Sequence, residues 1–123
     1  MSGQKKIADL GELGLIHKLA QTIKTDNSVI KGIGDDAAVI KFTAGKYLLF
    51  KTDMVIEGVH FTKKTPARLV GRKALARNIN DIAAMGGVPT HAVISLGVSS
   101  AAKAAFVDAI YQGITKLAQK FHI

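Results

Sequence analysis

The stretch Gly32–Ala38, with the sequence GIGDDAA, decides how the rest of the chain is interpreted. Its two glycines favour a turn, and the turn ends in two adjacent carboxylates, Asp35 and Asp36, directly before an apolar strand. Charged side chains beside a buried strand are costly unless they are paired or bind a metal. The stretch therefore predicts either a capped turn or a cation-binding loop.

Two further acids stand in similar apolar surroundings. Asp53 follows the apolar run Tyr47–Phe50, and Asp81 lies in a helical segment that ends at a pair of glycines. Carboxylates are hard oxygen ligands suited to magnesium, and Thr52 adds a hydroxyl beside them. We expect these acids, together with Asp36, to hold divalent metal beside the phosphates of a nucleotide. No Gly-x-x-x-x-Gly-Lys-Ser/Thr loop occurs, so the predicted nucleotide site is of another type.

Each of these residues also has a purely structural interpretation. Asp35 is typical of a turn residue that caps its own backbone, and Asp53 is typical of a strand end. Asp81 follows Arg77 by four residues, which favours a salt bridge on one helix face. His60, after an extended stretch, fits a surface histidine as well as a substrate contact. Spacing alone leaves both interpretations open.

Composition narrows the class of protein. The chain has 123 residues, of which 48% are hydrophobic, so we expect one folded domain. It contains no cysteine, which excludes disulfides and thiolate metal sites. The net charge of +8 is compatible with a nucleic-acid or phosphate-bearing partner, but a lysine-rich solvated surface explains most of these residues. Aromatic residues do not alternate with the lysines as nucleic-acid binding requires. No signal-peptide or membrane-spanning run is present, so we predict a cytoplasmic protein that binds neither nucleic acid nor membrane.

Hydrophobic spacing predicts three helices. The first covers about Gly11–Lys24. The second begins with Thr65 as N-cap and Pro66 in the first helical position, and it ends at Gly86. The third follows a cap at Ser99-Ser100 and runs to the end of the chain.

Alternation and short apolar runs predict the strands. The chain is expected to stay extended from Tyr47 through Phe61, and His91–Val98 alternates as a strand does. The order predicts an α+β fold with a mixed sheet, helices on one face, and the other face available for dimer packing. The predicted strands are Val29–Ile33, Ala37–Lys41, Tyr47–Phe50 and His91–Val98.

In combination, four motifs resemble the N-terminal half of the thiamine-monophosphate kinase family. That family lies in the aminoimidazole-ribonucleotide synthetase superfamily. The motif Lys73–Gly86 is typical of the superfamily, and Glu57–Phe61 is typical of the thiamine branch. The motifs are Gly11–Leu13 with Leu15–Ile16, Gly32–Ala38, Thr52–Met54 with Glu57–Phe61, and Lys73–Gly86.

The resemblance implies a reaction and its site residues. ATP would phosphorylate thiamine monophosphate to thiamine diphosphate by direct in-line transfer assisted by several magnesium ions. Asp35, Lys51, Thr52 and Asp53 would line the nucleotide site, and His60 would contact the thiamine phosphate. Lys51 departs from the family, which often has serine there, so its ammonium either contacts phosphate or faces away. The implied metal ligands are Asp36, Thr52, Asp53 and Asp81.

The resemblance also implies an organisation. Residues 1–10 would be a flexible N-terminus, and residues 11–123 a truncated N-terminal domain that binds ATP and magnesium and forms a homodimer through its sheet. A further strand and the C-terminal domain of the family are missing, so the chain alone is expected to be inactive or nearly so. Two alternatives are another ATP-using member of the superfamily, from purine biosynthesis or hydrogenase maturation, and a non-catalytic dimerisation domain.

Overall fold

The computed structural model describes residues 7–123, and the chain divides into two compact units, one up to Phe50 and one from Lys51 to Ile123. The first contains helix α1 and three strands, and the second contains two helices. The elements are α1 (Ile7–Ala20), β1 (Val29–Lys31), β2 (Ala38–Thr43), β3 (Lys46–Phe50), α2 (Ala67–Ala84) and α3 (Ala104–Phe121).

Helix α1 begins and ends about one turn earlier than its sequence pattern predicts. It is kinked at Gly11, whose φ of 65° and ψ of 177° are not helical and are accessible mainly to glycine. Its end follows from Thr22, which donates both its N–H and its hydroxyl to the carbonyl of Leu19. Residues 7–10 are thus helical, and residues 1–6 of the expected flexible N-terminus lie outside the described residues.

The three strands form an antiparallel sheet in the order β1-β2-β3. β2 and β3 are joined by Ala44 and Gly45, and a φ of 73° at Gly45 lets the chain reverse within two residues. The expected α+β class is correct. The expected mixed sheet is wrong for residues 7–123, where the named strands pair only antiparallel.

One face of the β2–β3 hairpin carries two apolar cross-strand pairs. Ala38 lies opposite Phe50 and Ile40 lies opposite Leu48, and directly opposed residues share a face of a sheet. Phe50 is 61% exposed, and within residues 7–50 only Ala37 is buried. The first unit therefore leaves apolar side chains of its sheet open to solvent.

The second unit has its core between α2 and α3. The helices approach closely at two glycines, because a Cβ on Gly71 would lie 1.9 Å from the carbonyl oxygen of Ile110 and one on Gly113 would lie 2.0 Å from that of Arg68. Arg68 also donates a 2.8 Å hydrogen bond from Nε to Gln112 across the helix pair. The core residues are Leu75, Ile79, Ile110, Ile114 and Leu117.

The helices start later than predicted, α2 by one residue and α3 by about three. Pro66 occupies the N-cap position of α2 instead of the first helical position, and the Thr65 hydroxyl accepts the N–H of Thr62. The Ser99 hydroxyl accepts the N–H of Ala101, so it caps a turn that precedes α3. The predicted end of α2 is confirmed, since Gly86 has a φ of 71° and donates its N–H to Ala83.

The strand expected at His91–Val98 does not form in the part of the chain that the structure describes. All eight residues are exposed, and Val93 is 95% exposed, so the alternation of the sequence is not matched by alternating burial. A strand is defined by hydrogen bonds to a neighbour, and this segment pairs with none of the described strands. Strand β3 ends at Phe50, and the extension expected as far as Phe61 is interrupted by a turn in which Val59 and His60 donate to the Ile56 carbonyl.

Candidate metal and nucleotide site

The segment that follows Lys51 lies along helix α2. Burial alternates over residues 51–56, with Lys51 and Asp53 half-buried and Thr52 exposed, as expected for extended chain. Lys51 contacts Asp81, and Asp53 contacts Arg77, so the segment runs antiparallel to the helix. Two extended residues span about 6.6 Å and four helical residues rise about 6 Å, so the two contacts are in register.

Each contact is a close ion pair. The Lys51 ammonium lies 2.7 Å from Oδ2 of Asp81, with side-chain exposures of 22% and 28%. Nε of Arg77 lies 2.7 Å from Oδ2 of Asp53, with exposures of 39% and 18%, and this contact is also a hydrogen bond. The structure thus places two of the predicted metal ligands on one surface of α2, each beside a side-chain cation.

Both oxygens of Asp53 accept hydrogen bonds. Met54 donates its N–H to Oδ1 at 2.7 Å, and Arg77 donates to Oδ2. Partial burial raises the pKa of the Asp53 carboxyl, but these two donors and the charges of Arg77 and Lys51 together hold that pKa below its usual value. Asp53 is therefore a fixed and ionised acceptor at neutral pH.

The sequence pattern suggested the wrong partner for Arg77. Its spacing from Asp81 favoured a pair within α2, yet Asp81 pairs with Lys51 and Arg77 with Asp53. Residues four apart on a helix can form an ion pair within that helix alone. Here the contact of residues 51–53 with α2 supplies other partners for both Arg77 and Asp81. The pairing of Asp53 with Arg77 is the feature that sequence reasoning missed.

His60 closes a tight turn before α2. Its Nδ1 accepts the N–H of Ile56 at 3.0 Å, so the neutral ring carries its proton on Nε2. Its own N–H donates to the Ile56 carbonyl at 2.8 Å, and Gly58, with a φ of 82°, donates to Phe61 at 2.7 Å. Lys73 of α2 donates to the His60 carbonyl. The sequence carried no signal for this role of Lys73.

Asp35 and Asp36 lie in the turn between β1 and β2 and are exposed. Asp35 forms an ion pair with Lys31 and accepts the N–H of Asp36 at 2.9 Å. The Lys31 ammonium and this backbone N–H hold the pKa of the Asp35 carboxyl below its usual value. Asp35 thus caps the backbone of its own turn, as its structural interpretation predicted.

Among residues 7–123, no three His, Asp or Glu side chains form a group that could hold a metal ion. The described residues also include no helix with the length and hydropathy needed to cross a membrane. What the second unit presents is a pair of carboxylates next to a pair of cations, on a surface that solvent reaches.

Residues 34–123 match the model of a protein family described as AIR synthase related protein, N-terminal domain. The chain belongs to this family. The AIR synthase related match covers the Asp35-Asp36 turn, the segment 51–56, the His60 turn and all of α2 and α3. The resemblance on which the sequence interpretation depended is therefore confirmed at the level of the family.

Proteins similar in sequence to this chain include thiamine-monophosphate kinases from two bacteria. The chain is 38% identical over 115 residues to thiamine-monophosphate kinase of Bacillus subtilis (strain 168), which covers 93% of this chain and 35% of that protein. It is 36% identical over 111 residues to thiamine-monophosphate kinase of Aquifex aeolicus (strain VF5), covering 90% and 34%. The chain thus spans about a third of the length of the curated relatives that it matches.

A solved structure described as AaThiL complexed with AMPPCP and TMP has the same fold. The TM-score is 0.87 with 33% sequence identity, and the match covers 98% of this chain and 37% of that one. The neighbour and this chain therefore share an α+β fold over nearly the whole length of the chain.

Proposed function

We propose that the protein containing this chain transfers a phosphoryl group from ATP to thiamine monophosphate and forms thiamine diphosphate. The observation that carries the proposal is the match of 98% of the chain to a structure that holds AMPPCP and TMP. AMPPCP is an analogue of ATP, and we take TMP as thiamine monophosphate because relatives are named thiamine-monophosphate kinase. The cytoplasmic location of the protein remains a prediction from the sequence.

The donor set suits magnesium. Asp53 and Asp81 offer hard carboxylate oxygens on one surface, and both are placed where a positive charge is already stabilised at 2.7 Å. Magnesium in such sites is bound through a few carboxylates and keeps several waters, so a closed cage of ligands is not required. The proposed magnesium ligands are Asp36, Thr52, Asp53 and Asp81.

Bound magnesium would supply charge neutralisation at the phosphates being transferred. The chain's own residues would do the positioning. The Lys51 ammonium lies at the same surface and would pair with a nucleotide phosphate, with Asp35 at the edge of the nucleotide site. The proton on Nε2 of His60 leaves a donor for the phosphate of thiamine monophosphate, since Nδ1 is engaged by Ile56. No covalent intermediate with the protein is needed, because the transfer is direct.

The test is a chimera, because the chain spans about a third of the length of the relatives that it matches. The matching third of Bacillus subtilis thiamine-monophosphate kinase is replaced by this chain, and conversion of thiamine monophosphate with ATP is measured. The proposal predicts turnover by the chimera that Asp81→Asn lowers by about a hundredfold or more, as loss of a charge-stabilising group does. The control is Asp108→Asn, an exposed position on α3, which is expected to leave turnover unchanged.

A chimera that folds, as judged by circular dichroism, and gives no thiamine diphosphate would contradict the proposal. Substrates from purine biosynthesis or hydrogenase maturation are assayed in parallel, and preference for one of them would favour the other branch of the superfamily. Binding of no nucleotide by any variant would favour the non-catalytic interpretation.

We also propose that the apolar sheet face serves a homodimer. Phe50, Leu48, Ile40 and Ala38 share that face, and Phe42 of β2 is 68% exposed. Aromatic and aliphatic side chains presented together on a sheet are typical of an interface. A second copy of the chain is the partner that the sequence analysis predicts for this face.

A further inference from the structure

Lys51 and Arg77 differ in how they hold their carboxylates. Arg77 donates a hydrogen bond from Nε to Asp53, and it projects from the middle of a helix whose neighbouring residues Leu75 and Ile79 are buried. Lys51 offers a point charge at the end of a flexible four-carbon stem, and it lies 2.7 Å from Oδ2 of Asp81. The flexible stem of Lys51 lets its ammonium change partner by rotation of the side chain.

We propose that Lys51 is a positioning residue that sets the affinity of Asp81 for divalent cations and moves to the nucleotide when metal binds. This inference rests on the proposed function, in which Asp81 is a magnesium ligand. It adds a competition between the Lys51 ammonium and a metal ion for the Asp81 carboxylate.

The competition follows from size and charge. Magnesium binds carboxylate oxygen at about 2.0–2.1 Å, so an ammonium 2.7 Å from Oδ2 of Asp81 competes for that oxygen and repels the metal ion. Both side chains are about three-quarters shielded from solvent, so the ammonium is screened less than a surface lysine would be. Its charge therefore lowers the affinity of Asp81 for a metal ion that arrives without a nucleotide.

The released ammonium has an anionic partner only when phosphate is present. With the nucleotide bound, the Lys51 ammonium pairs with a phosphate oxygen instead of the Asp81 carboxylate. The new ion pair replaces the one that was lost when the metal bound. The residue thus disfavours metal alone and favours metal together with nucleotide. Removal of its charge is expected to change the two affinities in opposite directions.

The experiment measures Mn²⁺ binding by electron paramagnetic resonance, first with Mn²⁺ alone and then with Mn²⁺ and ATP. Lys51→Met keeps the length of the side chain and removes its charge, and it is expected to bind Mn²⁺ alone about threefold to tenfold more tightly. The same variant is expected to bind Mn²⁺-ATP more weakly by a similar factor. Lys51→Arg keeps the charge and should retain wild-type values, as should Lys63→Met at an exposed lysine.

Two further variants keep the outcomes distinct. Lys51→Gln replaces Lys51→Met if the latter lowers the thermal midpoint. Asp81→Asn tests the metal ligand itself: if it leaves Mn²⁺ binding unchanged, the proposed metal role of Asp81 fails. If Asp81→Asn weakens binding while Lys51→Met matches wild type or binds Mn²⁺ alone less tightly, only the inference about Lys51 is overturned. Absence of Mn²⁺ binding by every variant would overturn both.

Discussion

Arg77 donates a 2.7 Å hydrogen bond to Asp53 across 24 residues of sequence, and this bond fastens the segment after β3 to helix α2. Lys51 and Asp81 form the second contact of the same junction. Charge therefore aligns residues 51–53 with the helix, while the apolar core of this unit lies elsewhere, between α2 and α3. Two of the residues proposed to bind metal, Asp53 and Asp81, also hold this junction together.

Asp53→Asn should lower the free energy of unfolding at pH 7 by about 1 kcal/mol, because a partly exposed ion pair contributes only modestly. The pKa of Asp53 is lowered in the folded state, so its contribution is present above the ordinary pKa of about 4 and is lost as the pH falls through the folded value. The difference from wild type is expected to narrow between pH 5 and pH 3, measured by urea denaturation across that range.

The matched control for this substitution is Asp108→Asn, which changes an exposed carboxylate on α3. It is expected to leave the stability unchanged within about 0.5 kcal/mol at each pH. A constant difference between Asp53→Asn and wild type from pH 7 to pH 3 would show that the carboxylate charge is not what stabilises the junction.

Gly71→Ala should destabilise the second unit by about 3 kcal/mol or more. The new Cβ would lie 1.9 Å from the backbone oxygen of Ile110, and a backbone atom cannot rotate away as a side chain can. The helices would have to separate and expose Ile114 and Leu117, which are buried between them. Thermal denaturation followed by circular dichroism at 222 nm measures the effect.

Gly14→Ala is the opposite case and serves as its control. Gly14 is helical, and a Cβ there would meet Leu10 at an ordinary distance of 3.5 Å. Alanine is the better helix former by about 0.5–1 kcal/mol, so this variant should be slightly more stable than wild type. Equal effects of the two substitutions would mean that α2 and α3 are not in such close contact.

His60→Asn and His60→Gln should separate the two nitrogens of the ring. The asparagine amide can stand in for Nδ1 and accept the N–H of Ile56, so stability is expected to stay near wild type. The glutamine amide reaches toward the position of Nε2 and leaves the Ile56 N–H unpaired, at a cost of about 1 kcal/mol. Urea denaturation of both variants decides which nitrogen is structural.

The substrate role of His60 is tested by the same pair in the chimera. His60→Asn should raise the apparent KM for thiamine monophosphate while the fold is retained, because the donor at Nε2 is gone. An unchanged KM in a stable His60→Asn variant would assign the histidine to the turn alone.

Phe50→Asp should weaken the proposed homodimer, because a charge on the apolar sheet face would be buried without a partner. Sedimentation velocity is expected to show a shift from dimer to monomer. The control, Lys41→Asp, changes a residue of the same hairpin whose alternation places it on the other face, and it should leave the dimer intact. A wild-type chain that sediments as a monomer at every concentration would contradict the dimer.

Local sequence signals predicted the parts of the fold that depend on local physics. Gly86 ends α2 as expected, and the apolar run Tyr47–Phe50 lies in β3 as predicted. Strand formation at His91–Val98 was predicted from alternation alone and does not occur in the described residues. Alternation shows which residues could share a face, but hydrogen bonding needs a neighbour that lies outside any local window.

The candidate site was also predictable only in part from local sequence. Its residue types could be chosen from the sequence, because carboxylates beside apolar runs need a cation. Their partners could not, since Arg77 lies four residues from Asp81 yet pairs with Asp53, 24 residues away. Helix spacing identifies neighbours within one element, and the contact of segment 51–53 with α2 is set by tertiary structure.

The central proposal is that Asp53 and Asp81 bind divalent cations at the nucleotide phosphates. Its most direct test is the paramagnetic broadening of backbone amide signals by substoichiometric Mn²⁺ with ATP, measured by nuclear magnetic resonance on the chain. The proposal predicts strong broadening at both aspartates and little at Asp108 on α3. Broadening that spares Asp53 and Asp81, or that is uniform along the chain, would contradict it.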